Sequence, residues 1–185
     1  MLKKPVAVFI SGFGSNLSVF LERKELFESL YVVSSNPRAY GLIRAKRYLV
    51  PFAVLDPKID WDQLDADLRQ NNIDTIFCAG FMKVIPVSFI ERWLGKIFNL
   101  HPSLLPKYKG LKAIDRAFEA QDDIGVTIHH IAAEVDSGKI VLQKVAIKKE
   151  DLPGLTLEEA TRRVQSLEHQ LVAQWIDLLS PIKSD

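Results

Sequence analysis

The sequence predicts an α/β protein built on one mostly parallel sheet, and three observations carry that prediction. Short apolar runs alternate with amphipathic segments over residues 6–79. The stretches between them hold Gly, Ser, Asn and Pro, the residues that punctuate a βαβ rhythm. The C-terminal part carries apolar residues three and four apart, the period of a helix laid on a sheet.

Val6-Ala7-Val8-Phe9-Ile10 is continuously apolar, the pattern of a strand buried on both faces. It opens at Ser11-Gly12-Phe13-Gly14-Ser15 into a predicted helix with Leu17, Phe20, Leu21 and Leu26 on its inner face. The rhythm repeats as strand 30–34, helix 41–48, strand 52–55, helix 61–70 and strand 75–79. Residues 77–86 read as that strand running into an apolar, Gly-containing turn. The pattern alone places this turn in the core, yet exposed backbone beside Phe81 and Met82 also suits a flat heteroaromatic ligand. Ile97-Phe98-Asn99-Leu100 is a further short strand, and 111–120 is predicted helical. Strands 125–131 and 140–147 are expected to pair antiparallel, so the sheet is mixed near its end. Thr156 and Glu159 form a capping box before Leu157, Ala160, Val164, Leu167, Leu171, Trp175 and Leu178, a long closing helix. No repeat, low-complexity tract or linker divides the chain, so one domain over 1–185 is expected.

Composition narrows the function. The chain has 185 residues, 48% of them hydrophobic, enough for a sizeable core. Its 24 Lys and Arg against 23 Asp and Glu leave a net charge of +1, with no electrostatic footprint for nucleic acid or an anionic membrane. Small-molecule partners are therefore expected. Cys78, the single cysteine, lies in an apolar run and reads as a buried inert thiol, which fits a reducing, cytoplasmic setting. The basic start is followed by an apolar stretch over 6–10 only, too short for a signal or membrane segment.

Chemistry concentrates in Asn99-Leu100-His101-Pro102-Ser103-Leu104-Leu105-Pro106 and in Glu134-Val135-Asp136-Ser137-Gly138. Asn99 and His101 are two apart on a strand and share a face. An amide can donate to an oxyanion while an imidazole moves protons. Asp136 is expected to raise the His101 pKa and favour imidazolium. Solvated loop residues are the competing reading of the three. His129 and His130 are adjacent in a strand, so only one faces the cleft, and parity does not say which.

The first loop places Gly12, Gly14, Ser15 and Asn16 where backbone N–H groups and a helix dipole favour a phosphate. A dinucleotide is disfavoured. Leu17 replaces the third glycine of that fingerprint, and Ser34-Ser35-Asn36 ends the second strand without an acid. A tight turn capped by Ser or Asn is the alternative. Gln165 and Glu168, three apart on the closing helix, either reach one ligand or form a solvated flank. No metal-ligand pattern and no Gly-x-Ser-x-Gly elbow is present, so no metal is expected.

These motifs, with Gly41-Leu42-Ile43-Arg44-Ala45, Ala79-Gly80-Phe81-Met82 and Arg163-Val164-Gln165-Ser166-Leu167-Glu168-His169, resemble the folate-dependent formyltransferase family over nearly the whole chain. Within it, the first loop and the Gln/Glu helix resemble the branch that acts on glycinamide ribonucleotide. The resemblance implies a Rossmann-like three-layer α/β/α fold and formyl transfer from 10-formyltetrahydrofolate to that amine in purine synthesis, without metal or covalent enzyme intermediate. It implies a phosphate-binding half over 1–98, a catalytic and folate-binding half over 99–185, and a monomer or homodimer. It implies that Asn99, His101 and Asp136 are catalytic, with His129 near the site. Gly12, Gly14, Ser15, Asn16, Gln165 and Glu168 would hold the ribonucleotide. Met82, Lys83, Val84, Ile85, Ala132, Ala133, Glu134, Val135 and Asp136 would form the folate pocket, and Lys58 a weaker contact because it replaces an Arg fork. Lys112-Ala113-Ile114-Asp115 departs from the family's usual His-Thr-His-Arg and bears on acceptor choice. The rivals are a relative acting on another amine, a 10-formyltetrahydrofolate hydrolase, and a non-catalytic nucleotide- or folate-binding module.

Overall fold

The structure is a computed structural model that describes residues 3–55 and 58–179. Seven strands form one sheet in the order β3-β2-β1-β4-β5-β6-β7. They are β1 (Val6–Ile10), β2 (Leu30–Ser34), β3 (Phe52–Val54), β4 (Thr75–Cys78), β5 (Ile97–His101), β6 (Ile124–His130) and β7 (Ile140–Ile147). β3, β2, β1, β4 and β5 pair in parallel, whereas β5–β6 and β6–β7 pair antiparallel; the sequence predicts the mostly parallel sheet and the β6–β7 pairing, and the antiparallel β5–β6 pairing is a further finding. The chain runs outward from β1 to β3 and then crosses back to β4. The loops after β1 and β4 therefore part at the carboxyl ends of the strands and leave a crevice.

Helices cover both faces: α1 (Ser15–Glu22), α2 (Tyr40–Arg47), α3 (Trp61–Gln70), α4 (Val87–Arg92), α5 (Ala113–Glu119) and α6 (Leu157–Leu179). Alternation along β1 sets the two cores. Val6, Val8 and Ile10 pack with α1, α2, α5 and α6, while Ala7 and Phe9 pack with α3 and α4. Trp175 anchors α6 behind the site, its ring 4.6 Å from Phe77 and 5.0 Å from Phe98 between centroids. Burying a ring of about 150–250 Å² contributes on the order of 4–6 kcal/mol before ordering entropy. The capping box forms: Thr156 N–H donates to Glu159 Oε2 at 2.8 Å, and Glu159 N–H to Thr156 Oγ1 at 3.2 Å.

The differences from the sequence reading lie at ends and in short elements. α4 was not expected, because six residues are too few to show a helical period. α1 stops at Glu22, and Leu26 belongs to a separate 3-10 turn. α5 starts at Ala113 because Gly110 and Lys112 take left-handed backbone at φ 78° and 53°. Leu157 and Leu178, at the two ends of the α6 stripe, are exposed.

Candidate active site

The register of β5 and β6 begins the site by setting Asn99 opposite His129. The turn after β6 then folds back to deliver Asp136, which takes φ 50°. A Cβ at Gly138 would lie 1.7 Å from the His130 carbonyl oxygen, so this turn closes only over a glycine.

Four groups converge on the Asp136 carboxylate. Oδ2 accepts from Gly110 N–H at 2.8 Å and faces His101 Nδ1 at 3.4 Å. Oδ1 faces Asn99 Nδ2 and His129 Nε2, each at 3.4 Å. Asn99 Nδ2 also lies 3.2 Å from His129 Nε2. His129 is thus the histidine of the pair that turns to the cleft, while the His130 ring packs on Phe98 at 4.5 Å.

Carbonyl partners assign the imidazole protons, because a carbonyl only accepts. His101 Nε2–H donates to the Tyr108 carbonyl at 3.0 Å, so the neutral ring presents a bare Nδ1 to Asp136. His129 Nδ1–H donates to the His130 carbonyl at 2.8 Å, leaving Nε2 to accept from Asn99. Burial pushes the His101 pKa below its ordinary value and outweighs both the Tyr108 bond and the pull of Asp136. Asp136 does raise the His101 pKa, as expected, but desolvation outweighs it, so the expectation that Asp136 keeps the ring protonated is corrected: the net direction is down, toward a neutral resting imidazole.

Burial also opposes the Asp136 carboxylate. The His129 contact, the Gly110 N–H and the charge of the imidazolium forms more than offset it, holding the pKa at about 2 against an ordinary 3.8. A depressed carboxyl pKa means that the unfolded chain binds the proton first. The resulting stability is present above pH ~4 and lost as pH falls toward ~2, on the order of 2 kcal/mol. Urea titrations across this range are expected to show a steeper acid loss in the wild type than in Asp136→Asn; parallel curves would show that the carboxylate is not held this way.

The carboxylate cluster sits in the wall of a cavity of about 640 Å³. Gly12, Phe13, Gly14, Ser15, Asn16 and Glu168 are among its lining residues. Gly14 takes φ 73° as the N-cap of α1, so the first-turn N–H groups have no capping side chain. Asn16 Nδ2 donates to Glu168 Oε2 at 3.0 Å, whereas Asn16 Oδ1 is buried without a partner among the described residues. Burial raises the Glu168 pKa despite that bond. The lining also includes the apolar side chains of Phe81, Met82, Val84, Ile85 and Ile131, with Lys83, Ala132, Ala133 and Val135.

Gln165, Lys58 and Glu134 do not line this cavity. Gln165 and Lys58 are exposed, and Glu134 pairs with Lys109 at 2.8 Å. Sequence reasoning missed the Tyr108 carbonyl and the Gly110 N–H, because backbone partners leave no trace in residue type. It left Leu111 without a role; Leu111 lines the cavity, as do Lys112 and Ala113 of the segment that departs from the family pattern. Among the described residues, no cluster of His, Cys, Asp or Glu is arranged to hold a metal ion, and no helix is long and apolar enough to cross a membrane.

An amide donor, an imidazole and a low-pKa carboxylate thus meet at the crevice of a doubly wound α/β sheet, a set of groups that can stabilise an oxyanion and move protons. The chain belongs to the formyl transferase family, whose model matches residues 4–176. It is 41% identical over 187 residues to phosphoribosylglycinamide formyltransferase of Haemophilus influenzae, covering 93% of this chain and 86% of that protein. It is 34% identical to the trifunctional purine biosynthetic protein adenosine-3 of Homo sapiens, covering 96% of this chain but 18% of that longer protein. Among solved structures, phosphoribosylglycinamide formyltransferase from Anaplasma phagocytophilum superposes with a TM-score of 0.87 at 34% identity, covering 96% of this chain and 86% of the other. A formyltetrahydrofolate deformylase from Pseudomonas syringae shares the fold at 21% identity and a TM-score of 0.84, covering 97% of this chain and 62% of that one.

Proposed function

We propose that the protein transfers the formyl group of 10-formyltetrahydrofolate to the primary amine of glycinamide ribonucleotide, a step of purine biosynthesis in the cytoplasm. The observation that carries this reading is the convergence of Asn99, His101 and His129 on Asp136 in a cavity that also contains the glycine-rich loop. Met82 and Val84 are 69% and 82% exposed in the cavity lining, which fits a flat heteroaromatic ring of the folate type. Backbone groups of 82–85 and 132–136 would hold its polar edge.

The folate supplies the formyl group and takes up a proton at the nitrogen it leaves behind. Asn99 donates its amide hydrogen to the oxyanion that develops as the amine adds, giving up the long contact to Asp136. His101 accepts the proton lost by the amine at Nδ1, and Asp136 stabilises the imidazolium so formed. The same proton then passes to the departing nitrogen, so His101 returns to its resting neutral form. The backbone N–H groups of Gly14, Ser15 and Asn16 would take the phosphate, and Asn16 with Glu168 the ribose. In this reading 1–185 is one domain, with the phosphate loop in 1–98 and the catalytic groups in 99–185.

An acceptor screen tests the proposal. With 10-formyltetrahydrofolate present, consumption is expected only when glycinamide ribonucleotide is added, with the formylated amine formed in equal amount. Equally fast consumption in water alone would make the protein a hydrolase. Turnover only with a different amine would move it to another branch, and tight binding without turnover would make it a binding module.

A further inference from the structure

We infer that Arg44 is a positioning residue that holds the 12–16 loop in its anion-accepting form; the inference rests on the phosphate reading of that loop. Its basis is how α2 clamps the loop from behind. Gly41 N–H donates to the Gly12 carbonyl at 3.2 Å. A Cβ on Gly41 would lie 2.4 Å from Ile10 Cδ1, and one on Gly14 would lie 2.8 Å from Gly41 Cα, so the two backbones meet with no side chain between them.

One helical turn on, Arg44 completes the clamp. Its Nε donates to the Phe13 carbonyl at 3.2 Å and its Nη1 to Ser18 Oγ at 3.0 Å. Ser18 Oγ in turn donates to the Gly14 carbonyl at 3.3 Å. The guanidinium also lies 4.7 Å from the Phe13 ring centroid and 5.1 Å from that of Tyr40, two rings stacked at 4.9 Å.

The orientation of these bonds is what matters. In a trans peptide the C=O of one residue and the N–H of the next point in opposite directions. Fixing the carbonyls of Gly12 and Phe13 against α2 therefore turns the N–H groups of Phe13 and Gly14 away from α2, the direction an anion in the cavity requires. Arg44 itself does not line that cavity and acts through the loop. A lysine keeps the charge but lacks both the planar two-donor fork and the stacking face.

Steady-state kinetics of Arg44→Met and Arg44→Lys, with glycinamide ribonucleotide and its dephosphorylated riboside as acceptors, test this. Ribose 5-phosphate serves as a competing probe independent of turnover. In Arg44→Met the KM for the ribonucleotide and the inhibition constant of ribose 5-phosphate are each expected to rise about tenfold. The kcat should stay within about twofold and the riboside KM should not change, because the chemistry lies elsewhere in the cavity. Arg44→Lys should recover part of the loss. Unchanged KM and inhibition by ribose 5-phosphate in Arg44→Met would overturn the inference, as would an equal loss with both acceptors. A wild type that does not distinguish ribonucleotide from riboside would instead overturn the phosphate reading, and the inference with it.

Discussion

His101→Asn is expected to lower turnover by roughly 10²–10⁴-fold, the span that a positioned proton-transfer group supplies. The His101 imidazole presents a bare nitrogen to the Asp136 carboxylate while its second nitrogen is fixed on the Tyr108 carbonyl. An asparagine offers hydrogen bonds but no basic nitrogen, so the amine proton has nowhere to rest while the tetrahedral centre forms. Folding should survive, since what is lost is a hydrogen bond to the Tyr108 carbonyl worth about 1 kcal/mol. Circular dichroism and turnover per folded molecule check both halves of the prediction. Early melting with normal activity in the folded fraction would make His101 a structural residue.

Asp136→Asn is expected to lower turnover by roughly 10²-fold or more, because it removes the charge that stabilises the imidazolium while keeping the shape of the side chain. The amide oxygen can still accept from Gly110 N–H, now at 2.8 Å from Oδ2, so the turn over 131–139 keeps its main tether. Loss of activity with an intact fold separates the charge from the scaffold. Rescue of turnover by raising pH is not expected, since an amide does not titrate. Activity within a few-fold of wild type would show that the carboxylate serves the turn alone.

Much of this was legible in the residues because the relevant signals were strong and local. The buried run of β1, the capping box of Thr156 and Glu159, and the two-residue spacing of Asn99 and His101 all read directly as structure. What escaped depends on three-dimensional surroundings. The resting charge of His101 follows from burial, and burial is a property of the packed chain rather than of the motif. The tethers of His101 and Asp136 are a carbonyl at Tyr108 and an N–H at Gly110, which any residue type supplies. Gln165 and Glu168, three apart, separate because the helix turns one to solvent and the other to the cavity. α4 follows Pro86 as a six-residue element, shorter than two turns, so no apolar stripe announces it.

The most direct measurement is an NMR titration of the His101 imidazole in the free enzyme and in Asp136→Asn. Desolvation lowers its pKa and Asp136 raises it, so the midpoint should lie below the ordinary 6.5 in the wild type and lower still in the variant. A wild-type midpoint above 6.5 would mean that the resting ring is an imidazolium held by Asp136, and would contradict a site that takes up its proton from the attacking amine.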